Sequence, residues 1–223
     1  MSSPTTYLIT GENRGIGKAP VTTYLPRPVP PDPSFAPRSP QSRWLQLLIQ
    51  QLDAASGASI ASAIDVLRTS HHLRRIDVVI SNAGMGSTFA LLIDTPIPKI
   101  DEHINVNAYG PLHLFKATLP LLREAPDPKF IFVSSVAGST GAMTPPFTLM
   151  SSAAYGASKA LLNFFAKWLA LENGHVTTWA IHPWLVATEM GNKARAMLAD
   201  RGIDIADESA AAIRKVVSVH WKA

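Results

Sequence analysis

The sequence has no cysteine among its 223 residues, which excludes disulfide bonds and thiolate metal ligands. Long apolar runs are also absent: no stretch of roughly 18 apolar residues occurs, and the first residues lack the basic and apolar segments of a signal peptide. Lys and Arg outnumber Asp and Glu by only 20 to 16, and the basic residues are scattered. We therefore expect a cytoplasmic protein without a membrane segment, a metal site or a nucleic-acid surface.

What the sequence does have is an alternation of strand and helix patterns. Short apolar runs predict strands at residues 7–10, 76–80, 130–133 and 176–181, and longer stretches predict helices at 58–70, 99–122 and 153–171. This alternation is typical of an α/β fold in which a parallel sheet carries helices on both faces. With 47% hydrophobic residues, residues 1–223 suffice for one domain with a substantial core.

Seven prolines between residues 26 and 40 interrupt this alternation. Proline fixes φ and lacks a backbone donor, so residues 26–43 are predicted to form a loop and not a central strand. The apolar residues 44–52 are expected to form the next strand. Near the end of the sequence, residues 209–219 predict a helix with no strand after it, which limits the sheet to five or six strands.

The first predicted strand leads into a glycine-rich turn, Thr10–Gly17, with the sequence TGENRGIG. Glycines at 11, 15 and 17 permit a tight turn and let a diphosphate approach the N-terminus of the next helix. The pattern alone is weak, because a tight turn without any ligand has the same signature. It becomes informative only together with motifs farther along the chain.

Tyr155 and Lys159 form the pattern most indicative of catalysis. They lie four residues apart on a predicted helix and therefore share one face. An ammonium group beside a phenol favours the phenolate, so Lys159 is expected to lower the pKa of Tyr155 from about 10 and make it a general acid at neutral pH. Taken alone, a tyrosine on an Ala-rich helix is more often a packing residue.

Further motifs appear in a fixed order along the chain: Ser81–Gly84 (SNAG) after a strand, Asn107 in a long helix, Ser134-Ser135 after the next strand, and His182-Pro183 after the last. With the glycine turn and the Tyr155/Lys159 pair, they resemble the short-chain dehydrogenase/reductase family across residues 5 to 215. Within it, the pattern is most similar to Sniffer-like carbonyl reductases and fungal norsolorinic acid ketoreductases. The resemblance implies a Rossmann-type doubly wound sheet in a single domain.

The resemblance also implies the roles of individual residues. Tyr155 would be the general acid, Ser135 would donate a hydrogen bond to the substrate oxygen, and Asn107 would hold a water that links Lys159 to solvent. The cofactor would be NADP, with Arg14 pairing with its 2′-phosphate. The implied cofactor-binding residues are Gly11, Asn13, Arg14, Gly15, Ile16, Gly17, Asp53, Asn82, Ala83, Gly84, Pro183 and Thr188. A small-molecule substrate and a possible homodimer are implied as well.

The sequence departs from the family pattern in three places. The proline-rich residues 26–43 replace the second strand, which normally carries the adenosine; Trp184 stands where the family has glycine; and no final strand is predicted. We therefore expect a shallow adenosine pocket, cofactor binding that is weakened or lost, and an NADPH preference that depends on Arg14. Residues 142–150 lengthen the segment between Ser135 and Tyr155 and are expected to form part of the substrate wall.

These observations favour NADPH-dependent reduction of a ketone on a bulky, polyketide-like molecule. A cofactor-independent isomerase, dehydratase or cyclase that uses the same pocket is the alternative, since the same polar groups can polarise a carbonyl without a hydride. A catalytically silent binding protein is disfavoured, because buried polar groups lower the stability of the fold and would not be retained without a function. Apolar residues expected near the substrate, each also a candidate for the core, are Phe89, Met143, Phe147, Trp184 and Met190.

Overall fold

The computed structural model describes residues 5–24, 47–143, 151–200, 202 and 217–221. Its strands are β1 (Tyr7–Ile9), β2 (Val78–Ser81), β3 (Lys129–Val133), β4 (Thr177–His182) and β5 (Val217–Trp221). Its helices are α1 (Gly15–Tyr24), α2 (Gly57–Thr69), α3 (Ile97–Ile104), α4 (Gly110–Leu122), α5 (Ala153–Glu172) and α6 (Glu189–Ala199). Short 3₁₀ turns cover Leu92–Asp94, Val136–Gly138 and Thr140–Ala142.

The strands form one five-stranded sheet in the order β1-β2-β3-β4-β5. The first four strands are parallel, and β5 pairs antiparallel with β4. Because the four parallel strands run the same way, their carboxyl ends share one edge of the sheet. The predicted α/β class is thereby confirmed, and the five strands of the described residues agree with the predicted five or six.

One face of the sheet carries the main core. Phe130 and Phe132 of β3 are completely buried there, with ring centroids 4.6 Å apart, and Phe115 of α4 lies 5.0 Å from Phe130. Helices α2, α4 and α5 contribute further buried apolar residues to the same cluster. The opposite face is only half-buried at Ile80 and Ile131, so the sheet has one strongly and one weakly covered face.

The strand predicted at residues 44–52 is wrong over residues 47–52, the part that the structure describes, because these residues form no strand. Among the described strands, β1 pairs with β2 alone. Leu48 and Leu52 pack against the core while Leu47 and Ile49 are exposed. The apolar residues therefore satisfy a packing requirement without joining the hydrogen-bond ladder. The predicted loop at 26–43 lies outside the described residues.

The end of the chain also corrects a prediction. The helix expected at 209–219 is wrong at its last residues, because Val217–Trp221 is a strand paired with β4. The sequence VSVHW alternates apolar and polar residues with the period of two that is typical of a strand. The Ala-rich residues before it favoured a helix, and the predicted helix was extended into this strand. Residues 203–216 lie outside the described part.

The helix predicted at 99–122 is confirmed, with one modification. Between α3 and α4 the turn widens into a π-helix over Asn105–Tyr109, in which the Gly110 N–H donates to the Asn105 carbonyl. Pro111 follows at the start of α4 and cannot donate an N–H. The widened turn accommodates the hydrogen bond that Pro111 cannot donate. Such π segments often occur at functional sites.

Candidate active site

The glycine turn Thr10–Gly17 lies at the carboxyl edge of the sheet and has the close packing that its glycines predict. Gly11 has φ +70°, and a Cβ at Gly17 would lie 2.5 Å from the Gly11 carbonyl oxygen. Only glycine fits that position. The turn is therefore a backbone cradle at the N-terminus of α1, as a diphosphate requires, and its residues fit a dinucleotide. Asn13 is exposed beside it and Ile16 is half-buried.

Asn82 and Ala83 fasten this turn to the end of β2. The Asn82 side-chain amide donates to the carbonyls of Thr10 and Gly11 at 3.0 and 3.2 Å, and the Ala83 N–H donates to the Thr10 hydroxyl at 3.1 Å. The Asn82 side chain is thus engaged with the protein itself. Its role in the structure is to hold the glycine turn in place.

Arg14 forms an ion pair across the site with Glu189, at the start of α6, at 3.1 Å. Both side chains are largely exposed. Glu189 also pairs with Lys193, and these two cations hold the pKa of its carboxyl below the usual value, Lys193 having the larger effect. Arg14 thus lies at the mouth of the glycine turn, where its present partner is a carboxylate.

Asp53, expected to contact the adenine, lies in the turn before α2. Its carboxylate accepts from the Ala55 N–H at 2.9 Å, and its own N–H donates to the Ser59 hydroxyl at 2.9 Å. The turn packs tightly on α4, because a Cβ at Gly110 would lie 2.4 Å from the Ala54 carbonyl oxygen. Asp53 is exposed and shapes a turn whose backbone is fixed.

The segment after β4 brings Pro183, Trp184 and Thr188 to the same edge. Trp184 has φ +63°, a left-handed conformation that is costly for any residue with a Cβ. Thr188 caps α6, its hydroxyl accepting from the Gly191 N–H at 3.1 Å. Its methyl group faces the glycine turn, 3.4 Å from where a Cβ at Gly15 would be.

Tyr155 lies in the first turn of α5, beside Ser135. Burial raises the pKa of the Tyr155 phenol, and a side-chain hydrogen bond with Ser135 lowers it in part. Ser135 caps the 3₁₀ turn after β3, accepting from the Ala137 N–H at 3.2 Å. Ser134 is buried instead, and its hydroxyl donates to Asn163 at 2.5 Å. Of the two serines, Ser135 is the one that meets Tyr155.

Lys159 is buried, one turn farther along α5. Its ammonium donates to the Val133 carbonyl at 2.8 Å and lies 5.6 Å from the centroid of the Tyr155 ring. Burial lowers the pKa of Lys159 to about 8. The predicted lowering of the Tyr155 pKa is wrong in its net direction, because burial of the phenol has the largest effect and raises that pKa.

Asn107 is completely buried in the π-helix, and both ends of its side-chain amide are hydrogen-bonded. Its amide donates to the Met85 carbonyl at 2.8 Å and to the Ser158 hydroxyl at 3.0 Å, and its carbonyl accepts from the Met85 N–H at 2.8 Å. A Cβ at Gly84 would lie 3.1 Å from the Asn107 oxygen and 3.7 Å from the Lys159 nitrogen. Asn107 therefore clamps the 84–85 backbone beside Lys159.

Sequence reasoning missed Gly86, whose backbone lies between Tyr155 and Met190. No motif marks this glycine, and only its neighbours in space reveal it. Of the apolar residues predicted near the substrate, Met143, Trp184 and Met190 are exposed and Phe89 is half-buried. Phe147 lies outside the described residues.

His182, at the end of β4, was quoted only as part of a motif. Both of its ring nitrogens are buried without a hydrogen-bond partner among the described residues. Its ring meets Trp184 edge-on at 5.6 Å between centroids, and burial lowers the pKa of His182 to about 4. The imidazole is therefore neutral at physiological pH.

We expect His182 to make the fold less stable in mild acid. Its folded pKa of about 4 lies below the ordinary 6.5, so the unfolded chain binds more protons between these values and stability is lost as pH falls through that window. The expected loss is about 2 kcal/mol after allowance for partial exposure. Urea unfolding at several pH values measures it. His182→Asn should flatten the profile, whereas the exposed His175→Asn should not; equal slopes in all three proteins would contradict the assignment.

The family model for short chain dehydrogenase matches residues 38–199. The chain is 41% identical to the short chain dehydrogenase gsfK of Penicillium aethiopicum, over 96% of this chain and 91% of that protein. It is 32% identical to the norsolorinic acid ketoreductase nor1 of Dothistroma septosporum, over 86% and 75%. It also superposes on the NADPH-bound carbonyl reductase from chicken fatty liver with a TM-score of 0.70, at 25% identity and over 86% and 83% of the two chains.

These similarities extend over most of the chain and agree with the geometry. The glycine cradle follows β1, and Ser135, with its neighbours Tyr155 and Lys159, follows β3 at the same edge of the parallel sheet. In the described part of the chain, no helix is long and apolar enough to cross a membrane. The resemblance inferred from the motifs is confirmed: this chain belongs to the short-chain dehydrogenases, oxidoreductases that act on CH–OH and C=O groups of small molecules with a nicotinamide cofactor.

Proposed function

We propose that the protein reduces a ketone on a bulky, polyketide-derived molecule, with NADPH as the hydride source and Tyr155 as the general acid. The observation that carries this proposal is the grouping of Ser135, Tyr155 and Lys159, in which Ser135 makes a side-chain hydrogen bond with Tyr155 and the Lys159 ammonium lies 5.6 Å from the centroid of the Tyr155 ring. A buried phenol between a hydroxyl and an ammonium can donate its proton to a substrate oxygen. Relatives named norsolorinic acid ketoreductase support the substrate class.

The side chains divide the work at the substrate oxygen. Tyr155 donates its phenolic proton to the oxygen as negative charge develops there. Ser135 donates a second hydrogen bond to the same atom, acting as a fixed dipole that favours the charged state. Lys159, with a pKa of about 8, is mostly an ammonium at pH 7 and stabilises the tyrosinate that remains.

The cofactor supplies the hydride when it is bound. Gly11, Gly15 and Gly17 would hold its diphosphate against the N-terminus of α1. Arg14 would bind the 2′-phosphate, because guanidinium groups pair with phosphate oxygens in a bidentate manner. That interaction must compete with the existing ion pair to Glu189. The preference for NADPH over NADH therefore depends on whether Arg14 pairs with the 2′-phosphate or with Glu189.

We expect Arg14→Ala to weaken NADPH binding about tenfold and to leave NADH binding within about twofold, because only NADPH carries the 2′-phosphate. Glu189→Gln should strengthen NADPH binding severalfold, since it removes the competing carboxylate. Fluorescence titration with both cofactors measures the dissociation constants. Arg68→Ala is the matched control, because Arg68 is likewise an exposed arginine in an ion pair, with Asp65 of α2 and not with Glu189. Equal losses for NADH and NADPH in Arg14→Ala would contradict the assignment.

The overall activity is tested with NADPH and a fused aromatic ketone, following cofactor oxidation by absorbance. Reduction that requires NADPH and yields the alcohol supports the proposal. A cofactor-independent isomerase, dehydratase or cyclase is the second candidate. It is favoured by one observation: the side chains of Arg14, Asp53 and Thr188 are all hydrogen-bonded within the protein. Turnover of a carbonyl compound without measurable NADPH binding would select that candidate.

We also propose a homodimer, formed through the outer face of α5. Phe164, Trp168 and Leu171 are each more than half exposed there, and the rings of Phe164 and Trp168 stack with centroids 5.9 Å apart. A contiguous apolar patch of this kind usually marks a protein interface. This patch lies on the side of α5 opposite Lys159, so a dimer formed through it would leave the active site accessible.

A further inference from the structure

Asn163 continues the face of α5 that carries Tyr155 and Lys159. The three residues are spaced four apart and therefore lie on one side of the helix, in successive turns. Lys159 binds the last carbonyl of β3, and Tyr155 makes a side-chain hydrogen bond with Ser135. Asn163 accepts a hydrogen bond at 2.5 Å from the hydroxyl of Ser134, the buried residue between these two positions. One face of α5 thus holds three successive residues at the end of β3.

Asn163 also reaches the far end of the 3₁₀ turn that Ser135 caps. Its amide nitrogen donates to the Gly138 carbonyl at 3.4 Å, which is the weaker of its two hydrogen bonds. Gly138 is the last residue of the turn, and Ser134 directly precedes Ser135. A single side chain therefore binds the backbone segment on both sides of the serine that meets Tyr155.

The same turn fits closely onto the backbone of α5. A Cβ at Gly138 would lie 2.5 Å from the Lys159 carbonyl carbon, and a Cβ at Gly156 would lie 2.8 Å from the Ala137 carbonyl oxygen. Two glycines, one on the turn and one on the helix, thus let the two backbones touch. Contact between backbones does not by itself fix their relative orientation. The hydrogen bonds of Asn163 are directional and can fix it.

We propose that Asn163 is a positioning residue: by holding the turn after β3 on α5, it sets the distance between the Ser135 hydroxyl and the Tyr155 phenol. Both groups must reach one substrate oxygen, and a displacement of about 1 Å can lower a rate by about 10²-fold. The proposal rests on the proposed function for the reaction that is affected. The positioning itself can be measured without turnover.

Hydrogen exchange of the Ala137 amide tests the positioning, because this amide donates to the Ser135 hydroxyl at 3.2 Å. Asn163→Leu removes both hydrogen bonds and should raise the exchange rate of this amide about tenfold, while the amides of β3 keep their rates. Asn173→Leu is the matched control, because Asn173 donates to the Leu169 carbonyl within α5. Unchanged exchange at Ala137 in Asn163→Leu would overturn the proposal, as would an equal increase at β3, which indicates a general loss of stability.

Kinetics of ketone reduction distinguish positioning from a merely structural role. Asn163→Leu should lower kcat about tenfold and leave KM within about twofold, because the misplaced groups act on the substrate oxygen during the reaction. Asn163→Asp keeps the acceptor for the Ser134 hydroxyl and should restore kcat to within about threefold of the parent protein. A rise in KM with kcat unchanged, or no recovery in Asn163→Asp, would overturn the proposal.

Ser134→Ala removes the donor of the same hydrogen bond and serves as a second variant for both measurements. It should lower kcat nearly as much as Asn163→Leu, and combining the two changes should add less than about twofold, because they break one interaction. Fully additive losses would overturn the proposal. If the parent protein reduces no ketone, the proposed function fails, and the exchange rate at Ala137 still decides whether Asn163 positions the turn.

Discussion

Replacing Tyr155 by Phe is expected to lower the rate of ketone reduction by about 10²-fold or more, the largest catalytic effect of any single change in this chain. The substitution removes only the phenolic oxygen and keeps the aromatic ring, which lies beside Gly86 and beneath the Lys159 ammonium. Thermal unfolding should therefore change little. Tyr109→Phe is the matched control, because Tyr109 is a helical tyrosine with an exposed edge that lies against Phe165 and away from Ser135.

The pH profile of the same reaction provides an independent check on the role of Tyr155. Since burial raises the pKa of Tyr155, the phenol remains protonated through neutral pH, and kcat/KM for reduction should fall only in alkaline solution, first as Lys159, with a pKa of about 8, loses its charge and then as Tyr155 loses its proton. Ser135→Ala removes the hydrogen bond that lowers the Tyr155 pKa, so the second fall should move to still higher pH. A reduction rate that is unaltered in Tyr155→Phe would show that another group supplies the proton.

Replacing Asn107 by Leu is expected to cost about 3 kcal/mol of folding free energy, because it leaves the N–H and carbonyl of Met85 without partners in a partly buried site. A loss of that size lowers the melting temperature of a domain of this length by roughly 6–12 °C. Asn105→Leu, on the exposed side of the same π-helix, should have little effect. Chemical and thermal unfolding of the three proteins measures the difference.

The Asn107 result also separates two roles for this residue. If its principal task were to hold a water beside Lys159, the fold would tolerate its loss and stability would fall by less than about 1 kcal/mol. A large loss supports the clamp on Met85 seen in the structure.

Several parts of the site could be predicted from the sequence because their spacing is local. Gly11 and Gly17 occur six residues apart in one turn, and Tyr155 and Lys159 lie one helical turn apart. The topology then brings the two groups together without further information, since parallel strands end at a common edge. The same local logic predicted the strands β2, β3 and β4 and the helices α2 and α5.

The remaining features depend on contacts between residues far apart in the sequence. The Asn107 clamp joins positions 22 residues apart, and Arg14 meets Glu189 across 175. The direction of the Tyr155 pKa shift depends on burial, which no spacing reveals. Residues 47–52 and Val217–Trp221 were misassigned because a strand forms only where a partner strand is available, whatever the local propensity.

The unequal covering of the two sheet faces has a consequence for how the protein opens. β3 lies between two parallel neighbours with Phe130 and Phe132 completely buried, so its amides belong to the part that exchanges with solvent only on global unfolding. β1 has three residues and one paired neighbour among the described strands, so we expect a lower free energy for its local opening. Ser135 follows the most protected strand and the glycine turn follows the least protected one. The proposed proton donor therefore lies beside a strand that opens only on global unfolding, whereas the proposed dinucleotide turn follows a strand that can open locally and is held mainly by its hydrogen bonds to Asn82 and Ala83.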